Sequence, residues 1–123
     1  MSAKPQSSYL VKLVRDGMVK SQTPSGIDYR PIHDFAEFKE ALLQKLGEEV
    51  TEYLLALSNG QNRSAFFELA DILEVIAVAA EEFHDRGLID VLSEATRKRE
   101  LRGSFQKRIG MYATIIEDEL DAS

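Results

Sequence analysis

The chain has 123 residues, 44% of them hydrophobic and 29% charged, a formal net charge of −6 and no cysteine. That length suits one globular domain with its own core and is too short for two ordinary ones; the lack of cysteine excludes disulfides, thiolate metal sites and a cysteine nucleophile. The acidic balance argues against general nucleic-acid binding, and no apolar run reaches the ~18–20 residues that span a bilayer, so a cytoplasmic protein with no membrane association is expected.

Met1 to Ser8 is polar and lacks the apolar centre of a signal peptide, and it reads as a flexible tail. Tyr9 to Val14 has strand-like bulk with no second strand to pair with, which predicts an extended segment laid on the domain and a short helical turn from Asp16. Ser21 to Pro31, with two prolines and a glycine, is a loop. Asp34 followed three residues later by Glu37 is a capping-box arrangement, and it opens a long helix from Phe35 to Ser58 that stops at Asn59-Gly60. Phe35, Phe38, Leu42, Leu46, Val50, Tyr53 and Leu57 recur along it at helical spacing and define a buried stripe. Glu49 falls inside that stripe, while Glu48 and Glu52 line one border. Gly47 either permits close approach or is a tolerated imperfection costing ~1 kcal/mol.

After a polar loop, Ser64 offers a cap for a second long helix to about Phe83, closed by Gly87. Its stretch Phe66 to Ala80 holds twelve apolar residues and three carboxylates, Glu68, Asp71 and Glu74, each ~60° around the helix from the last. Apolar residues nearly all round a helix predict contacts on several sides, more than one small subunit can supply, so self-association is expected. Asp90 reads as the cap of a third helix from about Val91 to Leu101. Phe105 to Ile116 fits either an extended arm or a last helix, and Glu117 to Asp121 begins an acidic tail. These elements predict an all-α antiparallel bundle with two long helices, completed by dimerisation, spanning 9–116 with flexible tails at 1–8 and 117–123.

The two long helices carry matching carboxylate pairs, Glu49 with Glu52 and Glu68 with Asp71, each spaced i,i+3 and so one turn apart on one side. Antiparallel packing brings four acids together, a cluster that is strongly repulsive unless a cation answers it. Hard divalent ions such as Mg²⁺ or Mn²⁺ prefer such oxygen ligands. Arg97, Lys98, Arg99, Arg102, Lys107 and Arg108 concentrate positive charge within twelve positions, which suits a small anion or a plain solvated helix face. The glycines form no Walker loop or dinucleotide fingerprint, and His33 and His84 sit at helix ends where they read as surface residues. With no nucleophile elbow either, a metal-activated water is the economical nucleophile.

ExxE followed after fifteen residues by ExxD resembles the all-α nucleoside triphosphate pyrophosphohydrolase superfamily, the MazG-like and phosphoribosyl-ATP pyrophosphohydrolase-like proteins. Lys12-Leu-Val-Arg15-Asp16 is similar to the KLVRD opening of the second branch, and Lys98-Arg-Glu-Leu-Arg102-Gly103-Ser-Phe105-Gln-Lys-Arg108 to its K-x3-RGGF-x2-R segment. The chain departs at Ser104, where a second glycine is usual, and at Gly17, where a lysine is common. The resemblance implies a Mg²⁺-dependent hydrolase cutting a nucleoside triphosphate between α and β phosphates; with the expected self-association, the first reading is a housekeeping homodimer or homotetramer acting on a non-standard or surplus nucleotide. Hydrolysis of phosphoribosyl-ATP, or a non-catalytic nucleotide- or protein-binding role, are the alternatives. By the same resemblance Glu49, Glu52, Glu68 and Asp71 hold the metal, and Glu48 binds a second ion or takes a proton from water. Lys12, Arg15, Lys98, Arg102 and Arg108 meet the phosphates, and Glu74 stands one turn further out.

Overall fold

The computed structural model describes residues 8–18 and 25–116. The start through residue 7, the loop positions 21–24 and the acidic tail from residue 117 lie outside the described residues. Among the described residues the protein is all-helical with no strand: a 3-10 turn at Asp16–Met18 precedes α1 (Phe35–Ser58), α2 (Asn62–His84) and α3 (Leu88–Arg102). Among the described residues no helix is long and apolar enough to cross a membrane. The chain forms two compact units, the first ending at Leu88 and the second beginning at Ile89.

In the first unit, α1 starts where the sequence predicts. Asp34 is extended and its carboxylate accepts a hydrogen bond of 3.0 Å from the Ala36 amide, satisfying one of the orphan donors of the first turn. At the other end the Gly60 amide donates to the Leu57 carbonyl at 3.2 Å and the Gln61 amide to the Ala56 carbonyl at 2.9 Å, with Gly60 at φ 73°. This is a Schellman closure, which needs a left-handed residue where glycine carries no Cβ penalty. Gln61 then serves as the N-cap of the next helix, its carbonyl accepting from the Ala65 amide at 2.9 Å. Helix α2 therefore begins earlier than the Ser64 cap predicts, because the turn hands the chain over without spare residues. At its far end Asp85, at φ 52°, takes the left-handed position that Gly87 was expected to supply, and the Arg86 amide reaches back to the Ala80 carbonyl at 3.0 Å.

α1 and α2 pack antiparallel as a hairpin whose open end is closed by Phe35 against Phe83, edge to face with ring centroids 5.9 Å apart. Buried apolar side chains are Ala41, Leu42, Ala56, Ala65, Val75 and Ala80. Four of these six are alanines, so the helices approach closely but bury little apolar area between them. The predicted stripe on α1 is wider than this contact: Phe38, Leu42, Leu46 and Tyr53 turn inward, whereas Phe35, Val50 and Leu57 remain exposed. Leu54 and Leu55 on α1 and Phe66, Phe67, Leu69 and Leu73 on α2 are exposed too.

Helix α3, all of it but Leu88 in the second unit, begins at Leu88, so Asp90 lies in its first turn instead of capping it, and none of its residues is buried. It stops at Gly103, at φ 77°, whose amide donates to the Arg99 carbonyl at 2.8 Å. The segment from Phe105 to Ile116 forms no helix, which resolves the two sequence readings in favour of the arm.

Substitution tests the two left-handed closures. Gly60→Ala is expected to destabilise the fold by about 1 kcal/mol, and Asp85→Gly to stabilise it by about 0.5–1 kcal/mol, the strain of a non-glycine residue there. Urea unfolding followed by circular dichroism measures both.

Candidate functional site

The register set by Phe35 against Phe83 brings the middle of α1 opposite the first half of α2. One carboxylate oxygen from each of Glu48, Glu49 and Glu52 lies within 4.8 Å of the others, and the same holds for Glu49, Glu68 and Asp71. Glu49 belongs to both triads. It is also the buried charged residue of the core, 5% exposed, with Glu68 and Asp71 half-buried beside it. Both Glu49 Oε2 and Glu68 Oε2 are buried without a hydrogen-bond partner.

An unanswered buried carboxylate oxygen is costly, typically 1–3 kcal/mol or more for a charged group. Three cations supply part of the answer. Lys45, one turn earlier on α1, places its ammonium 3.2 Å from Glu49 Oε1 and 3.5 Å from Glu48 Oε1. Partial burial pulls the Lys45 pKa down, but its hydrogen bond to Glu49 and the charges of Glu48 and Glu49 outweigh this and raise it overall. Lys12 reaches Glu48 Oε1 at 3.5 Å, and the Arg15 guanidinium bonds Asp71 Oδ1. The extended stretch of residues 8–15 is thereby tied to α1 by one side chain and to α2 by the other.

Among the described residues Glu68 forms no ion pair with a cation. A proton shared with Glu49 contributes most to its shift, followed by burial and then the negative charges of Glu52, Glu49 and Asp71, so that its carboxyl is pushed up to about 7. The donor set is all carboxylate oxygen, two of those oxygens are buried and unpartnered, and the crowding of the acids pushes the Glu68 carboxyl up to about 7. These residues fit a hard divalent cation, for which Glu48, Glu49, Glu52, Glu68 and Asp71 are the available ligands.

All five acids predicted from the sequence thus come together, with Lys12 and Arg15 at their edge. Lys98, Arg102 and Arg108 belong to the second unit; Lys98 and Arg102 share a face of α3 at i,i+4 spacing, and Arg108 lies beyond it in the left-handed region at φ 58°. His33 and His84 are exposed, as expected of surface residues. Lys45 was not among the predicted residues. Its spacing of three and four residues before two consecutive glutamates was the available signal, but the same spacing is common on solvated helix faces.

The Glu68 shift makes stability depend on pH. The metal-free folded state holds this proton up to about 7, whereas the unfolded carboxyl releases it near 4.5, so the folded state binds more protons between those values. The contribution is present below the unfolded value and is lost as pH rises through the folded one. In a chelating buffer the melting temperature is expected to fall between about pH 5 and about pH 8, with Glu68→Gln flattening the slope. An unchanged slope in that variant refutes the assignment.

The chain is 33% identical over 103 residues to the phosphoribosyl-ATP pyrophosphatases of Bordetella parapertussis and Bordetella bronchiseptica, matching 84% of its own length and 70% of theirs. No family model matches it, and no solved structure does. With this similarity running through most of the chain, and an all-helical fold carrying the paired carboxylates, the protein belongs to the MazG-like all-α nucleoside triphosphate pyrophosphohydrolase superfamily, hydrolases acting on acid anhydrides.

Proposed function

We propose that the protein is a divalent-metal-dependent pyrophosphohydrolase, cleaving a phosphorylated nucleotide between its α and β phosphates and releasing pyrophosphate. The observation that carries this reading is the pair of buried, unpartnered oxygens on Glu49 and Glu68, set between two carboxylate triads that share Glu49. The relatives' name favours phosphoribosyl-ATP as substrate. The departures at Gly17 and Ser104 favour a second reading, a non-standard or surplus nucleoside triphosphate handled by the same chemistry.

In this proposal Glu49, Glu52, Glu68 and Asp71 hold the ion, Mg²⁺ first and Mn²⁺ second, as oxygen-only ligand sets suit both. Such an ion supplies Lewis acidity toward phosphate oxygens and charge neutralisation during bond cleavage. Glu48 binds a second ion or accepts a proton from the attacking water. Lys12 and Arg15, which sit on Glu48 and Asp71 here, exchange a carboxylate for a phosphate oxygen when substrate enters. Lys98, Arg102 and Arg108 supply further positive charge, the usual requirement around a transferring phosphoryl group. We place the enzyme in the cytoplasm.

The working unit in this reading is a homodimer or homotetramer. A hairpin whose own interface is mostly alanine leaves Leu54, Leu55, Phe66, Phe67, Leu69 and Leu73 exposed, and a second copy is the partner in constant supply.

Two experiments test this. Pyrophosphate release is assayed with Mg²⁺ on phosphoribosyl-ATP and a panel of nucleoside triphosphates; Glu49→Gln and Asp71→Asn are each expected to lower it at least about a hundredfold while keeping the helical circular dichroism. Wild-type activity in those variants, or nucleotide binding without product in the wild type, overturns the enzymatic reading. Light scattering on the eluting protein is expected to give two or four times the chain mass of 13.8 kDa, and a monomer overturns the assembly.

A further inference from the structure

Lys45 is an unusual residue for its place. Its side chain is 18% exposed, on the face of α1 that turns toward the carboxylates. Lysine is seldom buried to this extent unless paired, and this one is paired twice. The geometry follows from the helix: side chains lean toward the N-terminus, so those of Glu48 and Glu49 tilt back over the preceding turn and meet the ammonium there. The outcome is asymmetric for Glu49. Its Oε1 takes the ammonium at 3.2 Å, while its Oε2 is buried and has no partner.

We propose that Lys45 is a positioning residue of the metal site, which by holding Glu49 Oε1 and Glu48 Oε1 fixes the rotation of both carboxylates and leaves Glu49 Oε2 as the oxygen presented to the ion. This inference rests on the metal reading above and extends it to a residue outside the ligand set. Carboxylates that bind metal are themselves commonly held by hydrogen bonds, and removing such a support typically costs ten- to a hundredfold in metal affinity. The ammonium and the ion do not compete for one lone pair, because they meet opposite oxygens of the same carboxylate. Lys45 differs in this from Lys12 and Arg15. Those side chains are 54% and 59% exposed and come from the extended segment, so they are the cations free to move to a phosphate, while Lys45 stays within the helix face.

Binding of Mn²⁺ to the full, metal-free chain, followed by the electron paramagnetic resonance of free Mn²⁺, tests the proposal without recourse to activity. The wild type is expected to bind. Lys45→Met, which retains the aliphatic stem, is expected to bind about ten- to a hundredfold more weakly, and Lys45→Arg to recover most of the loss. A lysine that serves stability alone lowers the melting temperature of the Met variant and leaves its Mn²⁺ affinity unchanged; unchanged or tighter binding overturns the proposal. Failure of the wild type to bind Mn²⁺ is a separate result and overturns the metal reading itself. A measurement on the wild type covers the case in which the Met variant does not fold. The ¹⁵N resonance of the Lys45 ammonium is expected to persist when Mg²⁺ is added, and its loss shows that the ion displaces Lys45, which also overturns the proposal.

Discussion

Negative charge gathered between two apolar helices is the constraint on which the rest of this structure depends. Five carboxylates meet where α1 and α2 face each other, and Glu49 is nearly out of reach of water. Like charges at such spacing repel strongly in a medium of low effective dielectric. Each neighbouring feature reduces that repulsion in its own way. Lys45 does so from within α1, Lys12 and Arg15 do so from the extended segment, and Glu68 does so through a carboxyl pushed up to about 7. The segment of residues 8–15 has no regular hydrogen-bonding pattern of its own, so these ion pairs are a main reason for its course across the hairpin. Exposed pairs of this kind are worth about 0–1 kcal/mol each, which is weak enough for an anion to take their place.

The hairpin itself combines two surfaces with different demands. Between the helices, small side chains allow close approach and put the acids within reach of one another. On the outside, leucine and phenylalanine carry the apolar bulk that a core would ordinarily use. The carboxylate cluster and the exposed apolar bulk therefore occupy different faces of the same two helices. The alanine-rich interface gives precise spacing and little energy; the outer faces hold energy that a single chain leaves unused.

Much of this was legible in the sequence because it depends on local chemistry. Asp34 and Gly60 mark the ends of α1 through interactions spanning only a few residues, and the i,i+3 acids reveal their shared side through helical geometry alone. The failures came where one local signal competed with another or with long-range contact. Ser64 is a good cap, but the turn had already started α2 at Asn62; Gly87 is a good stop, but Asp85 reached the left-handed conformation first. Lys12 and Arg15 were marked as phosphate ligands by resemblance, and their pairing with acids 36 and 56 residues away follows from tertiary contact that no local pattern encodes. Lys45 was overlooked because its spacing to Glu48 and Glu49 also describes a solvated helix face; burial is what separates the two cases.

The turn at Gly60 has a consequence beyond ending a helix. Gln61 completes the closure of α1 and also begins α2, so no residue is available to absorb a change in length. One inserted or deleted residue would rotate α2 by about 100° about its axis. Glu68 and Asp71 would then leave the groove and an apolar flank would enter it. An insertion at this turn would separate the two halves of the carboxylate cluster in a single step, and the spacing of fifteen residues between the acid pairs is in effect a measure of the turn.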